Sequence, residues 1–176
     1  MSPVSAVFEP YSEAEQVWQW LESRYGIPQA VFAQHKLWQR VGAPALWIVG
    51  ADCCPPPGAK VEAIGMMALR DPPPGGKPTS SFLLEFGHHA TRNVYQLSDA
   101  EALMFLEDGP LDVVPVDDGR GYCIVRTEEL VIGCGRLARE PNADGTRRLL
   151  CEVPRSWRAS LAGWPSLNRD VSDGES

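Results

Sequence analysis

Tyr122, Ile124 and Arg126 alternate with Cys123 and Val125, the period-two pattern of a half-buried strand. A polar break, Thr127-Glu128-Glu129, leads to a second apolar run from Leu130 to Ile132, so Gly119 to Leu137 predicts a β-hairpin. The run continues into Gly133-Cys134-Gly135-Arg136, where glycine twice removes the Cβ from a strand. Such a pair marks a bulge, a bend, or a close approach by another backbone or a ligand.

The period lengthens toward the N-terminus. After an irregular lead-in over residues 1–10, Ser12 and Glu15 stand in a capping-box relation, and Ala14, Val17, Trp18 and Leu21 follow at helical spacing up to Gly26-Ile27-Pro28. That predicts an amphipathic helix of about three turns. A helical turn is expected at Pro28 to Phe32, then strands at His35 to Val41 and Ala45 to Val49 around Gly42-Ala43-Pro44. Three successive prolines make Asp52 to Gly58 a loop, and Lys60 to Arg70 reads as a further strand.

Beyond the breaker Asp71 to Gly76, Lys77-Pro78-Thr79 opens a helix through Phe82, Leu83 and Phe86 that ends at Gly87. A strand is expected at Asn93 to Gln96. Ser98 and Glu101 repeat the capping box ahead of Leu103, Met104 and Leu106, and Asp108-Gly109-Pro110 ends that helix. Short strands follow at Val113 to Val116, in the hairpin, and from Arg147 to Val153 after the Asn142 to Gly145 turn. Past Ala162 the residues are mainly Ser, Asp, Gly and Glu, and a disordered tail is expected over 163–176.

Composition bounds the chemistry. A chain of 176 residues with 44% apolar content can bury one real core or two small ones. It has no apolar run of about 18 residues and no basic-then-apolar N-terminus, so a cytoplasmic protein without a membrane partner is expected. Five cysteines suit reduced thiols, each read as a small buried hydrophobe. A net charge of −7 argues against a surface that grips nucleic acid everywhere, DNA included, so any RNA contact must rest on a local patch. Between Gly119 and Arg158 eight arginines face five acids, a local excess of +3. Such an excess is also what an ordinary solvated face carries.

Catalytic signatures are missing. The sequence has no phosphate-cradling glycine motif, its adjacent Cys53-Cys54 and His88-His89 lack metal-ligand spacing, and nothing selects a Cys-His nucleophilic pair. No catalytic residue, metal or cofactor is expected, and the chain reads as a non-enzyme.

From Lys77 the run KPTSSFLLEFGHHATRNVYQLSDAEALMFLEDGPLDV, then GRGYCIVRTEELVIGCGRL and LLCEVPRSWR, resembles the C-terminal RNA-binding extension of the Sun-type rRNA cytosine-5 methyltransferases, a PUA-like domain. The shared order is a helix (Ser98 to Glu107), Gly121-Tyr122, Ile132-Gly133-Cys134-Gly135-Arg136, and Pro154-Arg155-Ser156-Trp157-Arg158. A helix and small sheet ahead of such a module is similar to the standalone pre-ribosome assembly factors of the Nip7 type. The resemblance implies an α+β chain: a pre-PUA-like domain over 1–90 and a PUA-like mixed β-barrel over 91–162. It does not extend to catalysis, because the chain has no S-adenosylmethionine loop, and Asp52-Cys53-Cys54-Pro55 sits in a proline loop with no preceding cofactor domain.

Taken with the arginine excess, the resemblance implies non-catalytic recognition of structured RNA, rRNA above all, in ribosome assembly or modification. Arginine binds phosphate through its planar fork and stacks on bases. The leading contacts are Arg136, Arg155 and Arg158, followed by Arg120, Arg126, Arg147 and Arg148, with Lys77 and Arg92 behind them. Trp157 is read as anchoring the last strand to the core in preference to stacking a base. The competing expectation is an adaptor that presents Trp18, Trp20, Trp38 and Trp47 to a methyltransferase or assembly-factor partner.

Overall fold

The computed structural model describes residues 8–56 and 61–164, which form an α+β arrangement of two sheets and four α-helices. The expected lead-in up to residue 7, the start of the Lys60 strand and the tail from 165 lie outside the described residues.

The first sheet is antiparallel in chain order: β1 (Phe8–Pro10), β2 (His35–Arg40), β3 (Leu46–Gly50) and β4 (Met66–Leu69). Strand alternation sends Leu37, Leu46 and Ile48 toward helix α1 (Ala14–Tyr25), and Trp38 and Val49 to the opposite face with Phe8 and Ile64. Helical spacing buries Val17, Trp18, Leu21 and Tyr25 on one side of α1. Trp18 stacks on Phe32 at 4.4 Å between centroids, so Trp18 and Trp38 belong to the core rather than to an exposed aromatic surface.

Three local expectations fail here for physical reasons, the first being the irregular lead-in through residue 10, whose residues Phe8–Pro10 pair with Trp38–Arg40 as an edge strand that buries Phe8. The Ser12 capping box does not form, because the helix starts at Ala14 with Glu13 at its N-cap, and Glu13 instead accepts from Tyr11 and Gln16. The predicted strand from Lys60 shortens to Met66–Leu69, since the chain turns at Gly65 before it can pair with β3. The stop at Gly26 does form: with φ at 65° it closes α1 by donating to the Glu22 carbonyl.

Helix α2 (Ser80–Phe86), capped by Thr79 accepting from the Phe82 N–H, packs against both β4 and the second sheet. That sheet curls into a half-barrel. Its strands are β5 (Val94–Gln96), β6 (Asp112–Val113), β7 (Tyr122–Arg126), β8 (Val131–Leu137) and β9 (Arg147–Cys151), in the order β5-β7-β8-β9-β6. β5 runs parallel to β7 and the other pairs are antiparallel. Helices α3 (Asp99–Leu106), which carries both arms of the Ser98–Glu101 capping box, and α4 (Arg155–Ala162) cover its other face.

This layering overturns the half-buried reading of β7. Ile124 and Cys134 join the core beneath α1 and α2, while Cys123, Val125 and Ile132 join the one beneath α3 and α4. A strand covered on both faces reads as a continuous apolar run, which CIV in Tyr122–Arg126 is. The expected strand at Val113 to Val116 stops at Val113, because Pro115 has no N–H to pair and the Val116 N–H goes to the Tyr95 hydroxyl at 3.0 Å. The element after Pro154 is helical, and Trp157 lies on α4 with 38% exposure, so it does not anchor the last strand.

The glycine pair of β8 admits the protein's own parts. Gly133 has φ at 139°, and a Cβ there would stand 3.0 Å from both Ser80 Oγ of α2 and Val153 Cγ2. At Gly135 a Cβ would meet Val125 Cγ2 at 2.8 Å. The close approach is therefore by a helix and neighbouring strand side chains, not by a ligand.

Candidate functional site

Where the C-terminal end of α1, the Gly75-Gly76 loop and the second sheet meet, they enclose a cleft of about 750 Å³. Five arginines line it: Arg24 from α1, Arg120 just before β7, Arg136 on β8, Arg139 just beyond it, and Arg147 opening β9. Glu152 is the acid on its wall among the described residues. In a chain of net charge −7, this is a concentrated positive site.

The arginines are held to different degrees. Arg24 is engaged on every side: it pairs with Asp118 at 2.7 Å and donates to the Arg120 and Tyr122 carbonyls at 2.9 and 2.8 Å, which ties α1 to the entry of β7. Arg147 donates to the Ala138 carbonyl at 2.8 Å and to the Arg139 carbonyl, bracing the turn out of β8. Arg136 donates through Nε to Glu152 Oε1 at 2.8 Å, and Lys77 donates to the other oxygen of the same carboxylate. Lys77 Nζ also lies 5.3 Å from the centre of the Tyr122 ring. Arg120 and Arg139 are exposed, with no side-chain partner among the described residues.

Burial pushes the Glu152 pKa up, but hydrogen bonds from Arg136 and Lys77 outweigh it and hold the carboxyl below its ordinary value. The same hydrogen bond raises the Arg136 guanidinium. The cleft therefore keeps an ionised carboxylate between two cations, with two uncommitted guanidiniums at its rim. Guanidinium forks of this kind bind phosphate oxygens two at a time.

The sequence-predicted contacts do not share one surface. Arg136, Arg120 and Arg147 line the cleft, and Lys77 reaches its wall through Glu152. Arg155 and Arg158 are on α4, outside the lining. Arg158 donates to the Val153 and Cys151 carbonyls at 2.9 and 3.3 Å and pairs with Asp108 at 2.5 Å, a fastening of α4 to the end of α3. Arg126 donates to Gln96 Oε1 at 3.0 Å beside a separate cavity of about 490 Å³ that also holds His88. Arg148 pairs with Asp112 at 2.7 Å, and Arg92 donates to the Ser23 carbonyl at 2.7 Å and faces Asp117 at 3.6 Å.

Two of the five lining arginines, and the acid Glu152 beside them, escaped the sequence reading. Arg24 meets its partners across 94 to 98 positions of chain, a distance over which no local pattern carries information. Arg139 had a usable signal, its place just past the glycine strand.

Among the described residues no cluster of three or more His, Cys, Asp or Glu side chains is arranged to hold a metal, and no helix is long and apolar enough to cross a membrane. Cys123 and Cys134 are buried; burial pushes the Cys134 thiol up to about 12 and Cys123 well above its ordinary value, so neither is a ready nucleophile. Cys53 and Cys54, exposed in the proline loop, and the half-buried Cys151 depart from the buried expectation.

Residues 7–65 match a family of unknown function, DUF7122. The match spans less than half of the chain and, of the cleft, takes in Arg24. No curated protein matches the chain.

Proposed function

We propose that this protein binds structured RNA without catalysing a reaction, and that it holds RNA phosphates in the arginine-lined cleft. The observation that carries this reading is the convergence of five arginines from α1, β8, β9 and the flanks of the hairpin on one cavity of an otherwise acidic chain. Double-stranded RNA is met mainly through its phosphates, 2′-hydroxyls and shape, which suits a cluster of cations gathered on one face of the fold. We read the curled sheet with α3 and α4 as the PUA-like part, and rRNA in ribosome assembly or modification as the RNA that the sequence resemblance favours.

The decisive test is the double variant Arg120→Ala with Arg139→Ala, since both side chains are exposed and brace nothing among the described residues. In filter binding to a structured rRNA fragment, affinity is expected to fall by about ten-fold, and the salt dependence to flatten by about one unit per lost phosphate contact. Unchanged affinity in the folded double variant overturns the reading.

A further inference from the structure

Glu152 sits where a bound phosphate would be expected. Its two oxygens take separate cations from separate elements, Oε1 from Arg136 Nε on β8 and Oε2 from Lys77 Nζ ahead of α2. An anion bridging an arginine and a lysine is the arrangement that a phosphate makes with the same pair. The carboxylate side chain is 19% exposed and Lys77 21%, so their attraction is only partly screened by water.

The grip on the arginine is incomplete. Arg136 gives Glu152 a single Nε bond, and its two Nη groups have no partner among the described residues although the side chain lines the cleft. A two-nitrogen fork against a phosphate is the stronger alternative. Glu152 follows directly on β9, with its backbone fixed by donation to the Cys134 carbonyl at 3.0 Å, so the side chain can swing away while the main chain stays in place.

We propose that Glu152 is a displaceable internal counter-ion: in the free protein it occupies the phosphate position between Arg136 and Lys77, and an incoming RNA phosphate takes both cations from it. The inference rests on the RNA reading for the identity of the ligand but on the carboxylate geometry for the position. Glu152 then sets a threshold, so that weak or isolated anions fail to enter while a polyanion that also engages Arg120 and Arg139 succeeds. Without Glu152 the two cations would stand unneutralised in the cleft.

The test compares the full chain with Glu152→Gln, which keeps the side-chain shape and removes the charge. Each protein is titrated with sodium tripolyphosphate by calorimetry and with a structured rRNA fragment by filter binding. Glu152→Gln is expected to bind tripolyphosphate about five-fold more tightly, equivalent to about 1 kcal/mol, and RNA by a similar factor. Equal or weaker tripolyphosphate binding by the folded variant overturns the inference, even where Arg120→Ala with Arg139→Ala weakens RNA binding and so upholds the RNA reading. Tighter tripolyphosphate binding without RNA binding by either protein keeps the counter-ion role and removes RNA as the ligand. If Glu152→Gln does not fold, Glu152→Asp replaces it; the shorter carboxylate reaches one cation at a time and is expected to give an intermediate gain, and a wild-type affinity overturns the inference.

Discussion

Arg158, at the corner of α3 and α4, spends its guanidinium on two backbone carbonyls and Asp108, whereas Arg120 and Arg139, at the rim of the cleft, commit theirs to nothing among the described residues. The two regions carry the same side chain from the same arginine-rich stretch. What separates them is the supply of unpaired acceptors. The corner has carbonyls at the end of β9 that no ladder partner satisfies, and an arginine beside them becomes part of the framework. At the rim the carbonyls of Arg120, Ala138 and Arg139 are already taken by Arg24 and Arg147, so the charge of the Arg120 and Arg139 side chains stays available to a ligand. Arg136 stands between the extremes, half committed to Glu152.

The strongest way to break this contrast is at Gly133, where the two regions meet between Ser80 of α2 and Val153 of the corner. Gly133→Ala strains a φ of 139° and crowds both neighbours. It is expected to cost about 3 kcal/mol of stability in urea unfolding and to weaken RNA binding as well, because α2 carries Lys77 at its entrance. Binding lost without any loss of stability would show that the glycine serves the ligand and not the fold.

Arg158→Ala should affect one region alone. Leaving the Val153 and Cys151 carbonyls without their donor is expected to cost about 2 kcal/mol by the same unfolding measurement, with RNA affinity unchanged within two-fold. An affinity loss comparable to that of the rim variants would place α4 in the interface and dissolve the distinction between anchoring and binding arginines.

The smallest effect concerns the half-committed pair. The Glu152 pKa is lower in the folded protein than its ordinary value of 4.5, so the unfolded chain binds the proton more readily. The stabilisation is fully present above that ordinary value and is lost as pH falls through the folded value. Between pH 6 and pH 4 it should account for under about 1 kcal/mol, given the solvent screening of a partly exposed group. The comparison is the urea midpoint of wild type against Glu152→Gln, whose pH dependence should be shallower over that window; identical slopes would mean the carboxylate gains nothing from Arg136 and Lys77.

Much of the local architecture was legible in the residue pattern. The Ser98–Glu101 capping box, the αL stop at Gly26, the Thr79 entry to α2 and the β7–β8 hairpin all depend on neighbours within a few positions, which a sequence displays directly. The eight-residue helix α4 was legible only in part. Its signal is present in Val153, Trp157 and Leu161 at helical spacing, but Pro154 and the preceding strand pattern read as the end of a strand, and Arg158 ties it to residues up to 50 positions away.

The candidate site divides the same way. The sequence by itself determined that a local positive excess lies between Gly119 and Arg158, that glycine recurs in β8, and that no metal or phosphate motif accompanies them. Only the tertiary structure decided which arginines act together. A guanidinium's role depends on whether unpaired carbonyls or carboxylates lie within hydrogen-bond reach, and those partners arrive from distant elements: Asp118 for Arg24, Glu152 for Arg136 and Lys77, Asp108 for Arg158. Charge composition is a property of the chain, but the freedom of each charge is a property of the fold.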